Sequence, residues 1–295
     1  MDMLLHGNAL LALAAAVLWG GGDFSGGMGA KTAGGTMGAA LRVVLLSHVC
    51  SFSVLLAIEL LRGDPFPHGA ALWWGLTAGV MGGLSLTAFY VALSRGAMGA
   101  SAAVSGLLAA AIPAGVSIAG EGSPGVLRMV GFVVAGLAIW LIAAGDNPEA
   151  VPASAGTVWL AVLAGAGFGV YFVALKFAGA AGVIWPMATA RMGSLSVCSV
   201  MLIATMLFGS DEVKRGRLTR VAMLWAMGTA LLDTSGNLLF IAATRAGRLD
   251  VAAVLASLYP ASTILLAAWT LHERPTRRQG VGMVVAAAAV VMITL

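Results

Sequence analysis

The stretch LRVVLLSHVCSFSVLLAIELL, residues 41–61, is almost entirely apolar and has its two charged side chains, Arg42 and Glu59, near its ends. A helix of about 20 apolar residues crosses the roughly 30 Å hydrocarbon core of a bilayer. Within lipid, every backbone amide and carbonyl must be bonded internally, and a helix achieves this within one segment. This stretch therefore predicts a membrane-spanning helix.

Similar apolar stretches recur along nearly the whole chain of 295 residues. We expect about ten spans, since each stretch is near the length that a bilayer requires. Short connections between them hold most of the charged residues. The predicted spans are 8–28, 35–60, 69–94, 98–118, 127–144, 156–178, 183–207, 221–244, 249–271 and 279–295.

The composition agrees with this pattern. Hydrophobic residues make up 60% of the chain and charged residues 9%, with a mean hydropathy of +0.98. Soluble domains carry about 25% charged residues, because their surface faces water. The expected fold class is therefore an all-α integral membrane protein, with bilayer lipid as its surroundings. The formal net charge is +4 but no long Lys/Arg run occurs, which excludes nucleic acid as a partner.

An internal repeat divides the chain into two halves. The sequence ALSRG at 92–96 is echoed by AATRA at 242–246, and at the same offset AAV at 102–104 meets AAV at 252–254. We predict two five-helix units, residues 1–145 and 156–295. An odd number of helices inverts the second unit in the membrane, an arrangement shared by many secondary transporters.

Two prolines within spans, Pro113 and Pro260, come near equivalent places in the two halves. Each removes an intrahelical hydrogen bond and can bend its helix. Paired bends that serve alternating access and purely architectural kinks are both open interpretations.

Several short motifs along the chain are distinctive when taken together. They are LWG at 18–20 with Phe24 and Lys31, FYVAL at 89–93 with Arg95, AVLASLYP at 253–260, LHER at 271–274 and QG at 279–280. Through these motifs the sequence resembles, over essentially its whole length, the EamA-type members of the drug/metabolite transporter superfamily. The resemblance implies a carrier of amino acids, drugs, sugars or other metabolites in a bacterial inner (plasma) membrane.

Three polar residues inside predicted spans are candidates for a solute or ion path: Asp23, Asp233 and Asn237. Ionisable groups in a membrane are costly and usually face a partner or a water-filled cavity. Because Asp233 and Asn237 are four residues apart, they share one face of a helix. Each aspartate is interpreted either as a carboxylate that binds a proton or another cation, or as a hydrogen-bonded structural residue.

Further candidates for the path are aromatic and basic. The resemblance places the helices of Tyr90 and Tyr171 around a central cavity, and the path also includes Trp19 and Tyr259; helix packing is the alternative for each. Arg42 and Arg191 hold matched places in the repeat. They either pair with an aspartate or an anionic group of the solute, or lie near helix ends with their guanidinium groups at the headgroups.

No catalytic pattern is present in the sequence. The four histidines are isolated, and the two cysteines lie within apolar stretches without CxxC spacing. We therefore expect no enzyme activity, no cofactor and no metal site.

The expected function is secondary transport of a small metabolite or drug-like solute by alternating access, with export coupled to protons as the more detailed hypothesis. The alternative is a non-transporting membrane partner or regulator. The chain is expected to act as a monomer or homodimer. Its orientation stays open: the positive-inside rule applied to basic connections such as Lys214–Arg220 puts both termini outside, whereas the resemblance implies both inside.

Overall fold

The computed structural model describes residues 2–94, 98–143, 155–211, 216–270 and 276–295, and within them all side chains except those of 2–6, 90–91, 93–94, 98–103, 143, 264 and 267–268. Apart from short connections, the described residues are helical, and none of them forms a strand. Its helices are α1 Asp2–Thr32, α2 Met37–Arg62, α3 Ala70–Ser94, α4 Met98–Glu121, α5 Val126–Ala143, α6 Ala155–Ala178, α7 Ile184–Phe208, α8 Arg220–Ala246, α9 Leu249–Ala256, α10 Tyr259–Thr270 and α11 Arg277–Thr294.

The expectation of an all-α membrane fold is confirmed. Eight described helices are long and apolar enough to cross a membrane. Two shorter apolar stretches, Val126–Ile142 and Leu249–Thr263, bring the number of crossings to ten. The second stretch joins α9 to α10 across a break at Ser257 and Leu258.

Local sequence explains where several helices begin and end. The hydroxyl of Thr36 accepts a hydrogen bond of 3.1 Å from the Ala39 amide at the start of α2. Such a cap satisfies one of the amides that a helix start leaves unbonded. At the other end of α2, Gly63 has φ +71°, a left-handed conformation that glycine adopts without strain.

Small residues let the helices approach closely. A Cβ atom added to Gly79 of α3 would lie 1.9 Å from the carbonyl oxygen of Ala190 on α7. The reverse contact is as tight, since a Cβ on Gly193 of α7 would lie 2.3 Å from the carbonyl oxygen of Leu76. Close approach through glycine is typical of membrane helices, and it brings α7 against α3.

Helices of the first half pack on helices of the second half in exchanged pairs. The most extensive contact joins α1 to α8, and the next joins α6 to α3. Likewise α4 packs on α6, while α1 packs on α9 and α10. These contacts bring helices of both halves together around the centre of the bundle.

Large apolar side chains cover the outside. Leu61, Phe208 and Val126 are more than four-fifths exposed. Burying them in lipid is favourable, because apolar surface is unfavourable in water. The chain is therefore a multi-pass membrane protein.

Candidate functional site

A central cavity lies among helices of both halves. It is bounded by residues of α1 to α4, α6 to α8 and α10. Seven residues predicted for the path line it, namely Trp19, Asp23, Tyr171, Arg191, Asp233, Asn237 and Tyr259. The full lining is Trp19, Gly22, Asp23, Gly26, Val43, Val44, Ser47, His48, Gly79, Gly82, Leu86, Phe89, Ala109, Phe168, Tyr171, Phe172, Met187, Ala190, Arg191, Ser194, Thr229, Asp233, Asn237 and Tyr259.

An ion pair between α7 and α8 lies at the cavity wall. Arg191 Nη2 donates to Asp233 Oδ2. The arginine side chain is 5% exposed, whereas the aspartate side chain is 33% exposed. The pair therefore presents its carboxylate to the cavity and keeps its guanidinium behind it.

Two hydroxyl groups complete the surroundings of Arg191. Its Nε donates to Ser51 Oγ of α2 at 3.0 Å, and its Nη2 donates to Thr234 Oγ1 of α8 at 3.2 Å. The two hydroxyls also lie 2.6 Å apart, in hydrogen-bonding distance of each other. A buried charge is tolerated when it is both paired and hydrogen-bonded, and this network joins α2, α7 and α8 through one side chain.

A second polar contact crosses from α6 to α8. Tyr171 Oη donates to Asn237 Oδ1 at 2.5 Å. The Asn237 amide nitrogen donates to the backbone carbonyl of Asp233 at 2.7 Å, one turn earlier on the same helix. Asn237 thereby connects the phenol of Tyr171 to the turn that carries the Asp233 carboxylate.

His48 and Ser194 form a third contact, between α2 and α7. Ser194 Oγ lies 3.0 Å from His48 Nδ1, and which of the two donates depends on the tautomer of the imidazole. Ser194 also donates to the backbone carbonyl of Arg191 at 3.1 Å. Both side chains are buried, so the contact fixes the α2–α7 wall beside the ion pair.

Asp23 differs from Asp233 in its partners. It is exposed, lines the cavity, and makes no hydrogen bond or ion pair with any residue that the structure describes. Its neighbours on the lining, Gly22 and Gly26, have no side chains to cover it. The cavity therefore contains two carboxylates in different states. Asp233 is paired with Arg191, whereas Asp23 has no hydrogen-bonding partner among the described residues.

Aromatic rings form the apolar part of the wall. Trp19 stacks on Phe172 with ring centroids 5.1 Å apart and an interplanar angle of 7°. Phe240 contacts both rings, at 5.5 Å from Trp19 and 4.8 Å from Phe172. Tyr171 also packs against Phe172 at 5.6 Å. The cluster holds the Trp19 ring in place one turn before Asp23 on α1.

The remaining candidates either lie away from the cavity or have side chains outside the described residues. Arg42 is absent from the cavity lining, and its Nη2 lies 3.4 Å from Met206 Sδ. The side chain of Tyr90 lies outside the described residues, although its backbone belongs to α3. Pro113 lies within the continuous helix α4, whereas Pro260 is the second residue of α10, just after the break.

Several polar residues at the cavity were not predicted from the sequence. Ser51, Thr234 and Ser194 each bond to Arg191 or its backbone, but hydroxyls in apolar spans usually bond to their own helix and give no distinctive signal. His48 was the one available clue, as an imidazole within a span. Among the described residues, no group of three or more His, Cys, Asp or Glu side chains is placed to hold a metal ion.

Comparisons with known proteins agree with this architecture. The model of the EamA-like transporter family matches residues 155–295. Eighteen chains of solved structures match the fold. One of them is a crystal structure with a TM-score of 0.74 and 14% sequence identity. The match covers 97% of this chain and 95% of that one. At this identity the likeness concerns the fold alone. No curated protein matches the sequence.

Proposed function

We propose that this chain, whose residues 155–295 match the model of the EamA-like transporter family, is a secondary transporter that moves a small solute through the central cavity by alternating access. The observation that carries the proposal is the cavity itself, which is lined by both halves and contains polar groups among aromatic walls. Ligand sites are usually concave and mostly apolar, with a few polar groups that orient the ligand.

The proposal includes the division into two inverted five-helix units, residues 1–145 and 156–295. Its support is the exchanged packing, because α1 on α8 and α6 on α3 are equivalent contacts if the halves are related by a twofold axis. In transporters of this design, one unit rocks against the other around a central site. Such movement would change the distance between Ser51 of the first unit and Arg191 of the second unit, which a hydrogen bond joins.

Flux into proteoliposomes tests the transport proposal. The purified chain is reconstituted and offered amino acids, nucleosides, sugars and amines, with protein-free liposomes as the blank. We expect at least one solute to enter faster than in the blank, and Tyr171→Ala to reduce that flux. The matched control is Trp159→Ala, since Trp159 is 66% exposed on the outside of the bundle and should retain the flux. Failure of every solute to move would favour a non-transporting regulator instead.

Coupling to protons is the finer part of the proposal, and it assigns the proton to a cavity carboxylate. It is supported by the position of Asp23 and Asp233 on one cavity, since intramembrane acids commonly serve proton relays. A trapped pH dye would report proton movement when solute is added. If Asp23→Asn and Asp233→Asn both kept full solute uptake driven by a pH gradient, coupling through these carboxylates would be wrong. We place the protein in the bacterial inner membrane.

A further inference from the structure

We infer that the solute bound in the central cavity is an organic monocation with an aromatic or similarly apolar body, and that Asp23 is its counter-ion. This inference rests on the proposed transport function and narrows its substrate class. It follows from three features of the lining. The charged residues sum to a negative charge, the donors of Arg191 are already bonded to other side chains, and aromatic rings lie beside the Asp23 carboxylate.

The charge balance of the cavity is negative. Arg191 and Asp233 neutralise each other through their ion pair. Asp23 adds a carboxylate without a hydrogen-bonding partner among the described residues. With His48 neutral, as histidine usually is at pH 8, the charged lining residues leave one negative charge. An empty cavity of this kind attracts a cation, because charge in a low-dielectric site is costly unless it is paired.

The arginine offers little to an anion. Its Nε is bonded to Ser51, and its Nη2 is bonded to Asp233 and Thr234. The residue is 4% exposed, behind the carboxylate that it binds. A solute carboxylate would have to displace Asp233 to reach the guanidinium. Anions and zwitterions are therefore disfavoured relative to a simple amine or quaternary ammonium.

The rings next to Asp23 suit an organic cation rather than a metal ion. Trp19 precedes Asp23 by four residues on α1, so both point to one face of the helix. Tyr171 and Phe168 line the same cavity from α6. Aromatic faces attract ammonium groups within about 6 Å of the ring centre. The same rings also provide apolar surface for the body of the solute.

Three ligands that share an indole ring separate the effect of charge from that of shape. At pH 8, tryptamine is a cation, tryptophan a zwitterion and indole-3-propionate an anion. Binding to the detergent-purified full chain is measured by calorimetry, with phenethylamine as a second cation. We expect the amines to bind, and the zwitterion and the anion to bind at least about tenfold more weakly. Both bring a carboxylate into a cavity whose arginine is already paired with Asp233, and the anion also lacks the ammonium group that would contact Asp23.

Variants of the carboxylate test the assigned counter-ion. Asp23→Asn should weaken amine binding by about tenfold or more, since a hydrogen bond between charged groups is replaced by one to a neutral amide. Asp23→Glu should retain most of the affinity. The matched control is Asp211→Asn, which removes an exposed carboxylate three residues beyond α7 and outside the cavity lining, and should leave binding unchanged. If Asp23→Asn does not fold, the three-ligand comparison on the unmodified chain decides.

The inference is overturned if neither amine binds, if tryptophan or indole-3-propionate binds as tightly as tryptamine, or if folded Asp23→Asn keeps full affinity for the amines. Binding and flux distinguish it from the transport proposal. Amine binding that depends on Asp23, without flux of any solute, would support the site and contradict transport. Flux of a neutral or anionic solute that is unaffected by Asp23→Asn would support transport and contradict the cation site.

Discussion

Two arginine–aspartate pairs in this protein have the same chemistry and different surroundings. Arg191 and Asp233 belong to different helices and lie at the central cavity, with the aspartate side chain 33% exposed. Arg248 and Asp250 are two residues apart at the start of α9, and there the aspartate side chain is completely buried. The first pair presents its carboxylate to a space that a solute can enter, and the second encloses it.

The second pair fastens a helix end. Arg248 Nε contacts both carboxylate oxygens of Asp250 at 3.1 Å, and its Nη2 reaches the carbonyl of Gly122 at 2.7 Å. The hydrogen bonds to Asp250 raise the pKa of Arg248 above its usual value. The arginine thereby ties the start of α9 to the end of α4. The exposed partner therefore distinguishes the two pairs: Asp250 is enclosed and anchors a helix end, whereas Asp233 is open to the cavity that we propose binds the solute.

Removing the Asp233 carboxylate should have the largest effect on stability. In Asp233→Ala the guanidinium of Arg191 stays buried with only hydroxyl partners, so we expect the free energy of unfolding to fall by about 3–5 kcal/mol. Thermal unfolding in detergent measures the loss. Asp64→Ala is the control, because the Asp64 side chain is 44% exposed and its loss should matter little. A loss no larger than that of the control would mean that the cavity pair does not stabilise the bundle.

Replacing both Arg191 and Asp233 separates the contribution of this ion pair to stability from its contribution to flux. Arg191→Met combined with Asp233→Leu removes both charges, and apolar replacements of a buried pair are often neutral for stability. We expect this double variant to recover most of the unfolding free energy lost in Asp233→Ala but not the solute flux. Recovery of flux as well would show that the pair is only structural.

The helix-end pair should have an intermediate effect. Asp250→Ala removes the carboxylate bonded to Arg248 and should lower the free energy of unfolding by about 1.5–3 kcal/mol, the value of hydrogen bonds to charged groups. Because Asp250 does not line the cavity, flux per folded molecule should be retained. A selective loss of flux in a protein of unchanged stability would remove the distinction between the two pairs.

The contribution of protonated Arg248 should not change with pH in the ordinary working range. Its pKa is raised in the folded protein, so the stability that it adds is fully present below the unfolded pKa, which lies well above neutral pH, and is lost only as the pH rises through the still higher folded pKa. Unfolding of the unmodified chain and Arg248→Met, compared from about pH 6 to about pH 9, should therefore differ by a constant amount. A difference that shrinks towards pH 9 would contradict a raised pKa.

The fold could be predicted from hydropathy because a bilayer imposes one requirement on every span. The span expected at 183–207 is α7, Ile184–Phe208. The span expected at 249–271 is divided at Ser257 and Leu258. Pro260 indicated a bend there, but a local pattern does not distinguish a bent helix from two helices.

The site was predictable where helix geometry alone decides. Asp233 and Asn237, four residues apart, both line the cavity. Whether each arginine faces the cavity could not be predicted, because a matched place in a repeat does not determine which way a side chain points. Arg191 is buried at the cavity, whereas Arg42 lies outside its lining. The hydroxyls of Ser51 and Thr234 gave no signal because their role depends on an arginine from another helix.

A smaller effect is expected from the hydrogen bond between Tyr171 and Asn237. Tyr171→Phe keeps the ring and removes the donor to Asn237 Oδ1, so the free energy of unfolding should fall by about 1 kcal/mol. Thr205→Val is the control, since it removes a hydroxyl bonded only to its own helix at Met201. Thermal unfolding and the KM of uptake are measured together. A change in stability without a change in KM would separate this contact from solute binding.

The smallest effect on stability is expected at the partly exposed ion pair between Lys176 and Glu121, which joins α6 to α4. Lys176 Nζ lies 2.5 Å from Glu121 Oε1, with side chains 24% and 33% exposed. Exposed ion pairs contribute about 0–1 kcal/mol, because water screens the charges and both side chains lose freedom. Lys176→Met should therefore change the unfolding temperature little more than Arg62→Met, which breaks a pair that is more exposed still. A loss comparable to that of Asp250→Ala would instead place Lys176 with Arg248 as part of one anchoring network, since both cations contact Glu121.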